Sequence, residues 1–248
     1  MAIRWMSAFW DFPADAFEAG TTFWLEVTDA NLSEPRGVNN EFAALTPREG
    51  HSCLWVQRLQ SGEGGNHLDL HADDVAAEAA RAESLGAGVV RKGEGLIALR
   101  SPGGFPFCIV AYDGETAIPA PVTWPGGQRS IADQICIDIP AQVYGSERDF
   151  WVAFSGRRPR PSDSPEFERL ERPPGMPLEI LLQRRDEAEF DDPVSAHIDL
   201  ATSDLEAETL RHSELGAVPI ERFEHWQVLH DPTGLEYCIT DRAPRPVA

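Results

Sequence analysis

The chain has 248 residues, of which 41 are acidic and 21 basic, so its formal net charge is −20 at pH 7. This charge argues against nucleic acid and anionic membrane surfaces as partners, because both would repel the protein. The sequence also lacks an apolar run near the roughly 20 residues of a membrane helix, and from its first residues we expect no signal peptide. We therefore expect a soluble, cytoplasmic protein.

The first clear element is a strand at residues 67–71, where apolar and polar residues alternate with a period of two. Asp73 or Asp74 is placed to cap a helix that follows this strand. Gly86 supplies the left-handed residue that ends such a helix. A Pro-Gly-Gly turn then joins two further strands, which gives the order strand, helix, strands.

Residues 114–130 contain alternating prolines and small residues before a Gly-Gly pair, the composition of an extended linker. Beyond them, a strand near Asp138 precedes a helix that carries Phe150 and Trp151. The chain then ends with a second strand–helix–strand series, whose helix has a capping box starting at Ser203.

Residues 197–240 repeat residues 67–110 at a constant offset of 130 and without a gap. The matched positions include two histidines, two aspartates and two cysteines, namely His67/His197, Asp69/Asp199 and Cys108/Cys238. Weaker matches upstream follow offsets of 125 to 127. The sequence therefore predicts domain 1 at residues 1–113, the linker at 114–130 and domain 2 at 131–248.

Each predicted domain contains two modules of the order βαβββ, so the expected fold is α+β with four modules in tandem duplication. Paired modules with a strand-initial histidine, a helix ending in Leu-Gly-Ala and a closing Asp-Pro-x-Gly turn resemble the vicinal oxygen chelate superfamily. That superfamily includes glyoxalase I, the extradiol dioxygenases and the bleomycin resistance proteins. The His-Leu-Asp-Leu and Phe-Cys-Ile segments are most similar to uncharacterised glyoxalase-like domain proteins of actinobacteria. The resemblance implies cupped mixed sheets around a small-molecule pocket.

Metal-dependent members of this superfamily carry ligands on the first and last strands of each module. In domain 1 the resemblance places Ser7, Gln57, His67 and Cys108 at these positions. In domain 2 it places Gln134, Gln183, His197 and Cys238 there, with Cys136 as an equal alternative to Gln134. Both domains thus have cysteine where the family has a metal-binding glutamate.

This substitution argues against the family's metal chemistry, because neutral amides are poor ligands beside carboxylates and a thiolate favours zinc over a hard ion. We therefore expect no resident cofactor. The alternative is a divalent metal in domain 2, held by His197, Gln183, Gln134 and Cys238.

His67 and Asp69 face the same side of their predicted strand, and the pair recurs as His197 and Asp199. Each pair is either a catalytic acid–base set, in which the carboxylate orients the imidazole, or a structural hydrogen-bonded pair. The structural interpretation is the one that we favour. His71 shares the face in domain 1 but is replaced by alanine in domain 2.

Further candidates for substrate binding are Gln57, Gln183, Cys108, Cys238, Glu236, Trp226 and Trp55. The glutamines either contact a ligand or satisfy backbone groups, and the cysteines are either soft ligands or inert apolar residues. The glutamate either faces the pocket or tilts to solvent. The tryptophans either line a pocket for a planar ligand or belong to the core.

Five arginines lie close together in an otherwise acidic chain: Arg157, Arg158, Arg160, Arg169 and Arg172. They form either an anion-binding loop or, as we expect by default, a solvated surface loop.

Two functional hypotheses follow. The first is a glyoxalase-like lyase, isomerase or epimerase that acts on a small oxygenated metabolite. The second is a metal-independent protein that sequesters a small aromatic or cationic compound, as bleomycin resistance proteins do. Because the duplication supplies both copies in one chain, a monomer is as acceptable as a homodimer.

Overall fold

The computed structural model describes residues 3–162, 164–188 and 192–245. The first sheet comprises β1 (Ile3–Pro13), β2 (Asn31–Leu32), β3 (Phe42–Thr46), β4 (Leu54–Leu59), β5 (Gly65–Ala72), β6 (Gly88–Gly93), β7 (Leu96–Arg100) and β8 (Pro106–Ala111). The second sheet comprises β9 (Val122–Thr123), β10 (Arg129–Pro140), β11 (Pro159–Pro161), β12 (Phe167–Leu170), β13 (Glu179–Arg185), β14 (Ser195–Thr202), β15 (Val218–Arg222), β16 (Trp226–His230) and β17 (Glu236–Thr240).

Four helices follow the first strand of each module: α1 (Phe17–Thr28), α2 (Val75–Ser84), α3 (Tyr144–Ser155) and α4 (Leu205–Glu214). The predicted α+β fold of four βαβββ modules is therefore confirmed. Among the described residues, no helix combines the length and apolar character needed to cross a membrane.

The two sheets have the same strand order, as a duplication requires. The first runs β2-β3-β4-β1-β5-β8-β7-β6 and the second β11-β12-β13-β10-β14-β17-β16-β15, with β9 paired to β10. β5 pairs with β8 in parallel, and β14 pairs with β17 in the same way. In the first pair Asp69 lies opposite Cys108, and in the second Asp199 lies opposite Cys238.

The chain divides into two compact units that combine modules from both halves of the sequence. The first unit contains Met1–Ala8, Asn66–Thr116 and Ile135–Ala196, and the second contains Phe9–Gly65, Ala117–Gln134 and His197–Ala248. Domain boundaries at residues 113 and 131 remain a prediction from the repeat.

The helices that follow β5 and β14 begin and end alike. The side chain of Asp74 accepts a hydrogen bond from the Ala77 amide at 2.9 Å, and Asp204 accepts one from Ala207 at 3.0 Å. Of the two predicted caps for α2, Asp74 is therefore the one that forms. The capping box predicted to start at Ser203 is wrong by one residue, because Asp204 is the N-cap of α4 and the Ser203 hydroxyl accepts from the Arg129 amide instead. After each helix, Gly86 and Gly216 adopt a φ of 106°, which a residue with a Cβ rarely adopts.

In the first unit, α3 packs its aromatic face on β8. The Phe107 ring contacts the rings of Trp151 and Phe154, at centroid distances of 5.5 and 5.8 Å. Arg81 of α2 donates to the carbonyl of Phe154 at 2.8 Å, in the last turn of α3. A cation at this end of the helix satisfies carbonyls that have no partner within the helix.

The second unit repeats this arrangement with α1 and α4. Trp24 contacts the ring of Tyr237 at 5.0 Å. Arg211 of α4 donates to the carbonyls of Glu26 and Val27, at 3.3 and 3.1 Å, in the last turn of α1. Arg81 and Arg211, matched in the sequence repeat, therefore make the same contact in their two units.

At the centre of each unit a carboxylate accepts a hydrogen bond from an indole N–H. The carboxylate belongs to a helix in one unit and to a turn in the other. Trp151 Nε1 donates to Glu147 at 2.8 Å, one turn earlier on the same helix. Trp24 Nε1 donates instead to Asp231 at 3.0 Å, in the turn before β17. Each indole is thus satisfied in the core, where a missing acceptor would be costly.

The second unit takes its carboxylate from the turn because there is little space beside α1. Gly20 occupies the position that corresponds to Glu147, and a Cβ at Gly20 would lie 2.5 Å from the Phe12 ring. A glutamate therefore cannot fit there, and Asp231 supplies the carboxylate from the turn. In the first unit, Ser101 occupies the corresponding turn position.

We predict that Asp231→Asn lowers the free energy of unfolding by about 1–3 kcal/mol, because the new amide group offers a donor where the indole and the turn amides need acceptors. Urea unfolding followed by circular dichroism measures this change. Asp241→Asn, at an exposed position, should change stability by less than about 0.5 kcal/mol. Equal stability of the Asp231 variant and the unmodified protein would contradict the assigned role.

Candidate functional site

One face of β5 carries the main cluster of chemically active side chains in the first unit. His67 Nε2 lies 3.6 Å from Asp69 Oδ1. Parallel pairing with β8 places Cys108 opposite Asp69. One ligand atom from each of the three residues lies within 4.8 Å of the others. We call this imidazole, carboxylate and thiol the first-unit cluster.

The second unit contains the corresponding residues on β14 and β17, which we call the second-unit cluster. His197 Nε2 lies 3.3 Å from Asp199 Oδ1 and 3.5 Å from Cys238 Sγ. Burial raises the pKa of the Cys238 thiol to about 11, although His197 acts in the opposite direction. The thiol is therefore protonated at neutral pH and a poor nucleophile unless a metal displaces its proton.

The two clusters differ in burial. The Asp69 side chain retains 14% of its exposure, whereas that of Asp199 retains 3%. Cys108 is half-buried, whereas Cys238 is buried. The first-unit cluster is accordingly the more open of the two.

His71 extends the polar face of β5 beside the first-unit cluster. Its Nε2 lies 3.0 Å from Ser7 Oγ and its Nδ1 lies 3.3 Å from Glu115 Oε1. Burial lowers the pKa of His71, while Glu115 and Asp69 raise it. When Nδ1 carries the ring proton, on the side of Glu115, Nε2 accepts a hydrogen bond from the Ser7 hydroxyl, and these two contacts orient the ring.

Sequence reasoning missed this three-residue arrangement. Glu115 falls in the segment interpreted as a linker, and His71 has no counterpart in domain 2. The available signal was the position of His71 on the same strand face as His67 and Asp69, together with Ser7 at a ligand position of the family.

The predicted glutamines lie in different units. Gln183 belongs to the first unit, where its Oε1 accepts from the Cys136 thiol at 3.6 Å. Gln57 is half-buried on β4 of the second unit, opposite Phe42. Gln134 is buried on β10, and its Nε2 has no hydrogen-bond partner among the described residues. Their assignment as ligands remains a prediction.

The remaining predicted binding residues lie in the second unit. Trp55 stacks on Phe9 with a centroid distance of 5.7 Å, and the Arg36 guanidinium lies 5.5 Å from its ring. Trp226 stacks on Phe223 at 4.5 Å. Glu236 is exposed at the start of β17, which is the outward orientation considered from the sequence. The two tryptophans are half-buried, so each keeps part of its ring accessible.

The imidazole and carboxylate of each cluster, with the Cys108 thiol in the first, are donors that fit a divalent cation. Asp199 Oδ1 is buried and accepts no hydrogen bond from any described residue, although it faces His197. A buried carboxylate oxygen in this state lacks a partner that a cation would supply. Imidazole nitrogen, carboxylate oxygen and thiolate sulfur are all ligands of Zn²⁺, and the sulfur favours zinc over a harder ion.

Comparison with known proteins places this geometry in a family. The family model described as glyoxalase-like domain matches residues 7–110 and 134–240. No protein with a curated description matches the sequence. A Mn(II)-bound glyoxalase from Novosphingobium aromaticivorans has a similar structure, with a TM-score of 0.67 and 16% identity over 97% of this chain and 82% of that one.

Two further solved structures have the same fold. A variant of 4-hydroxymandelate synthase from Streptomyces coelicolor gives a TM-score of 0.63 and 14% identity over 97% of this chain and 93% of that one. A 2,2',3-trihydroxybiphenyl 1,2-dioxygenase from Sphingomonas wittichii gives 0.64 and 12%, over 96% and 90%. At these identities the likeness establishes the fold and not the reaction.

The expectation that the chain has no resident cofactor is wrong. This expectation rested on the cysteines that replace the family's glutamates. It did not consider Asp69 and Asp199 as metal ligands. The structure places Asp69 with His67 and Cys108 in a set that has the donors for a metal ion, and a glyoxalase of the same fold is bound to Mn(II).

The family model covers most of the chain in two successive matches, and the strand order of both sheets is that of paired βαβββ modules. The chain therefore belongs to the glyoxalase-like domain family of the vicinal oxygen chelate superfamily.

Proposed function

We propose that the protein is a metal-dependent isomerase, lyase or epimerase that acts on a small oxygenated metabolite, with the first-unit cluster as its reaction centre. The observation that carries this proposal is the His67–Asp69–Cys108 set with a hydrogen-bonded histidine, His71, on the same strand face. When bound, a divalent cation supplies Lewis-acid polarisation of the substrate oxygens, which acidifies the adjacent C–H bond.

His67, Asp69 and Cys108 hold the cation in this proposal, and Cys108 gives up its proton when it binds. The partial exposure of Asp69 and Cys108 leaves one side open to the substrate, as a catalytic metal site requires. The second-unit cluster is closed and has Ala201 where the first unit has His71. His197 and Asp199 would therefore hold a cation that stabilises the fold and takes no part in the reaction.

His71 is the group that moves the proton. Its Nε2 accepts the proton from the substrate carbon and returns it in the later step. Glu115 holds the ring through Nδ1, and Ser7 occupies the accepting nitrogen until the substrate arrives. β5 carries His71 together with His67 and Asp69. The base and two of the cation ligands are therefore held in place by one rigid element.

We predict that untagged protein incubated with Zn²⁺ and then dialysed retains metal in both clusters. His67→Ala should lower the affinity of one site more than about 10-fold, and His197→Ala should do the same for the other. Elemental analysis measures metal content, and His225→Ala, at an exposed position, provides the control. If His67→Ala retains as much zinc as the unmodified protein, the first-unit cluster is not a metal site.

Proton abstraction next to a carbonyl is the step shared by the proposed reactions, so it can be measured without the natural substrate. We predict that the zinc-loaded protein exchanges carbon-bound hydrogen of small α-hydroxy ketones, dihydroxyacetone among them, for deuterium in D2O. His71→Gln should slow the exchange by about 10²–10⁴-fold while the zinc content is unchanged.

Proton NMR follows this exchange, with His225→Gln as the matched control. An equal exchange rate in the His71→Gln variant would contradict the role of this residue. Binding of these compounds without exchange would instead indicate a protein that only sequesters its ligand.

A further inference from the structure

A second candidate site lies in the first unit, around the end of α3 and the segment that follows it. It is a cavity of about 390 Å³. Four arginines line it, namely Arg81, Arg157, Arg158 and Arg172. The one carboxylate in its lining, Glu171, pairs with Arg160 at 2.7 Å. Arg81 is paired with Glu78 at 2.6 Å, so the positive charge of the cavity comes from its other arginines, in a chain whose net charge is −20.

Arg157 is the unusual member of this set, because it retains only 6% of its exposure. Its guanidinium donates to the Leu178 carbonyl at 3.5 Å and to the Met6 sulfur. It forms no ion pair with any of the described carboxylates, although the charge of Glu179 raises its pKa and that of Arg172 lowers it. Burial lowers the pKa of Arg157 to about 10, so the group is still cationic at neutral pH.

A buried charge that is not directly paired with a counter-ion is expensive to maintain. A carbonyl at 3.5 Å and a thioether are weak acceptors for a guanidinium, which offers five N–H donors. The default interpretation of this arginine segment as a solvated surface loop therefore does not apply to Arg157. Its position is explained if an anion completes the site.

A smaller apolar cavity of about 50 Å³ adjoins the cationic one. The two share Ile3, Phe154, Ser155, Arg157 and Pro173 in their linings. The deeper wall is formed by Met6, Leu70, Trp151, Met176 and Ile180. Since one water needs about 10–15 Å³ of this volume, the inner cavity accommodates a chain of about three or four heavy atoms.

We propose that these cavities bind a short-chain monocarboxylate, with its carboxylate on Arg157 and its apolar tail in the inner cavity. The guanidinium fork matches the two oxygens of a carboxylate, and Arg158 and Arg172 add positive charge at the entrance. Inorganic phosphate offers the oxygens but no tail. This site is separate from the first-unit cluster and does not depend on the proposed reaction.

Isothermal titration calorimetry of the full chain with sodium butyrate tests the proposal, at constant ionic strength set with sodium chloride. We expect saturable butyrate binding, at least 10-fold weaker binding of phosphate, and no binding of butylammonium chloride. Arg157→Met keeps the apolar stem and removes the charge, so it should weaken butyrate binding at least 10-fold.

Arg184→Gln is the matched control, because Arg184 lies in the same unit, is partly exposed and pairs with Asp186. It should bind butyrate as the unmodified protein does. If Arg157→Met does not fold, Arg158→Gln at the exposed entrance should weaken binding several-fold. Absence of butyrate binding, equal binding of phosphate and butyrate, or unchanged binding in both pocket variants would overturn the proposal.

Discussion

The candidate metal clusters depend on one constraint, the parallel pairing of β5 with β8 and of β14 with β17. In a strand, residues two apart share a face, so His67 and Asp69 point to the same side. The parallel register then sets Cys108 opposite Asp69, although the two are far apart in the chain. The second pair repeats this with His197, Asp199 and Cys238, so duplication of one strand pairing produces both clusters.

The two units share this strand pairing but differ in the residues around their clusters. The first unit keeps a more exposed aspartate and adds His71, whereas the second unit has Ala201 and a closed cluster. In the first unit, β5 also separates two sites. His67, Asp69 and His71 lie on one face, and Leu70, which faces the other way, lines the inner apolar cavity beside Arg157. A single strand thus supports both the proposed reaction centre and the proposed anion site.

The sequence predicts the modules, the repeat and the ends of α2, because these depend on local periodicity and on single residues such as Asp74 and Gly86. It does not predict contacts between distant segments. Glu115 was assigned to the linker, and its contact with His71 exists only in the folded chain. The error on the cofactor has the same origin, since Asp69 was interpreted as a partner of His67 and its proximity to Cys108 follows from strand register.

The central claim is that Cys108 binds a metal together with His67 and Asp69. Replacement of zinc by Co²⁺ tests it directly, because a cobalt–thiolate bond gives a charge-transfer band in the near ultraviolet. The account predicts that this band is present in the unmodified protein, loses intensity in Cys108→Ser and is unchanged in Cys53→Ser. A band of undiminished intensity in Cys108→Ser, with cobalt still bound, would contradict it.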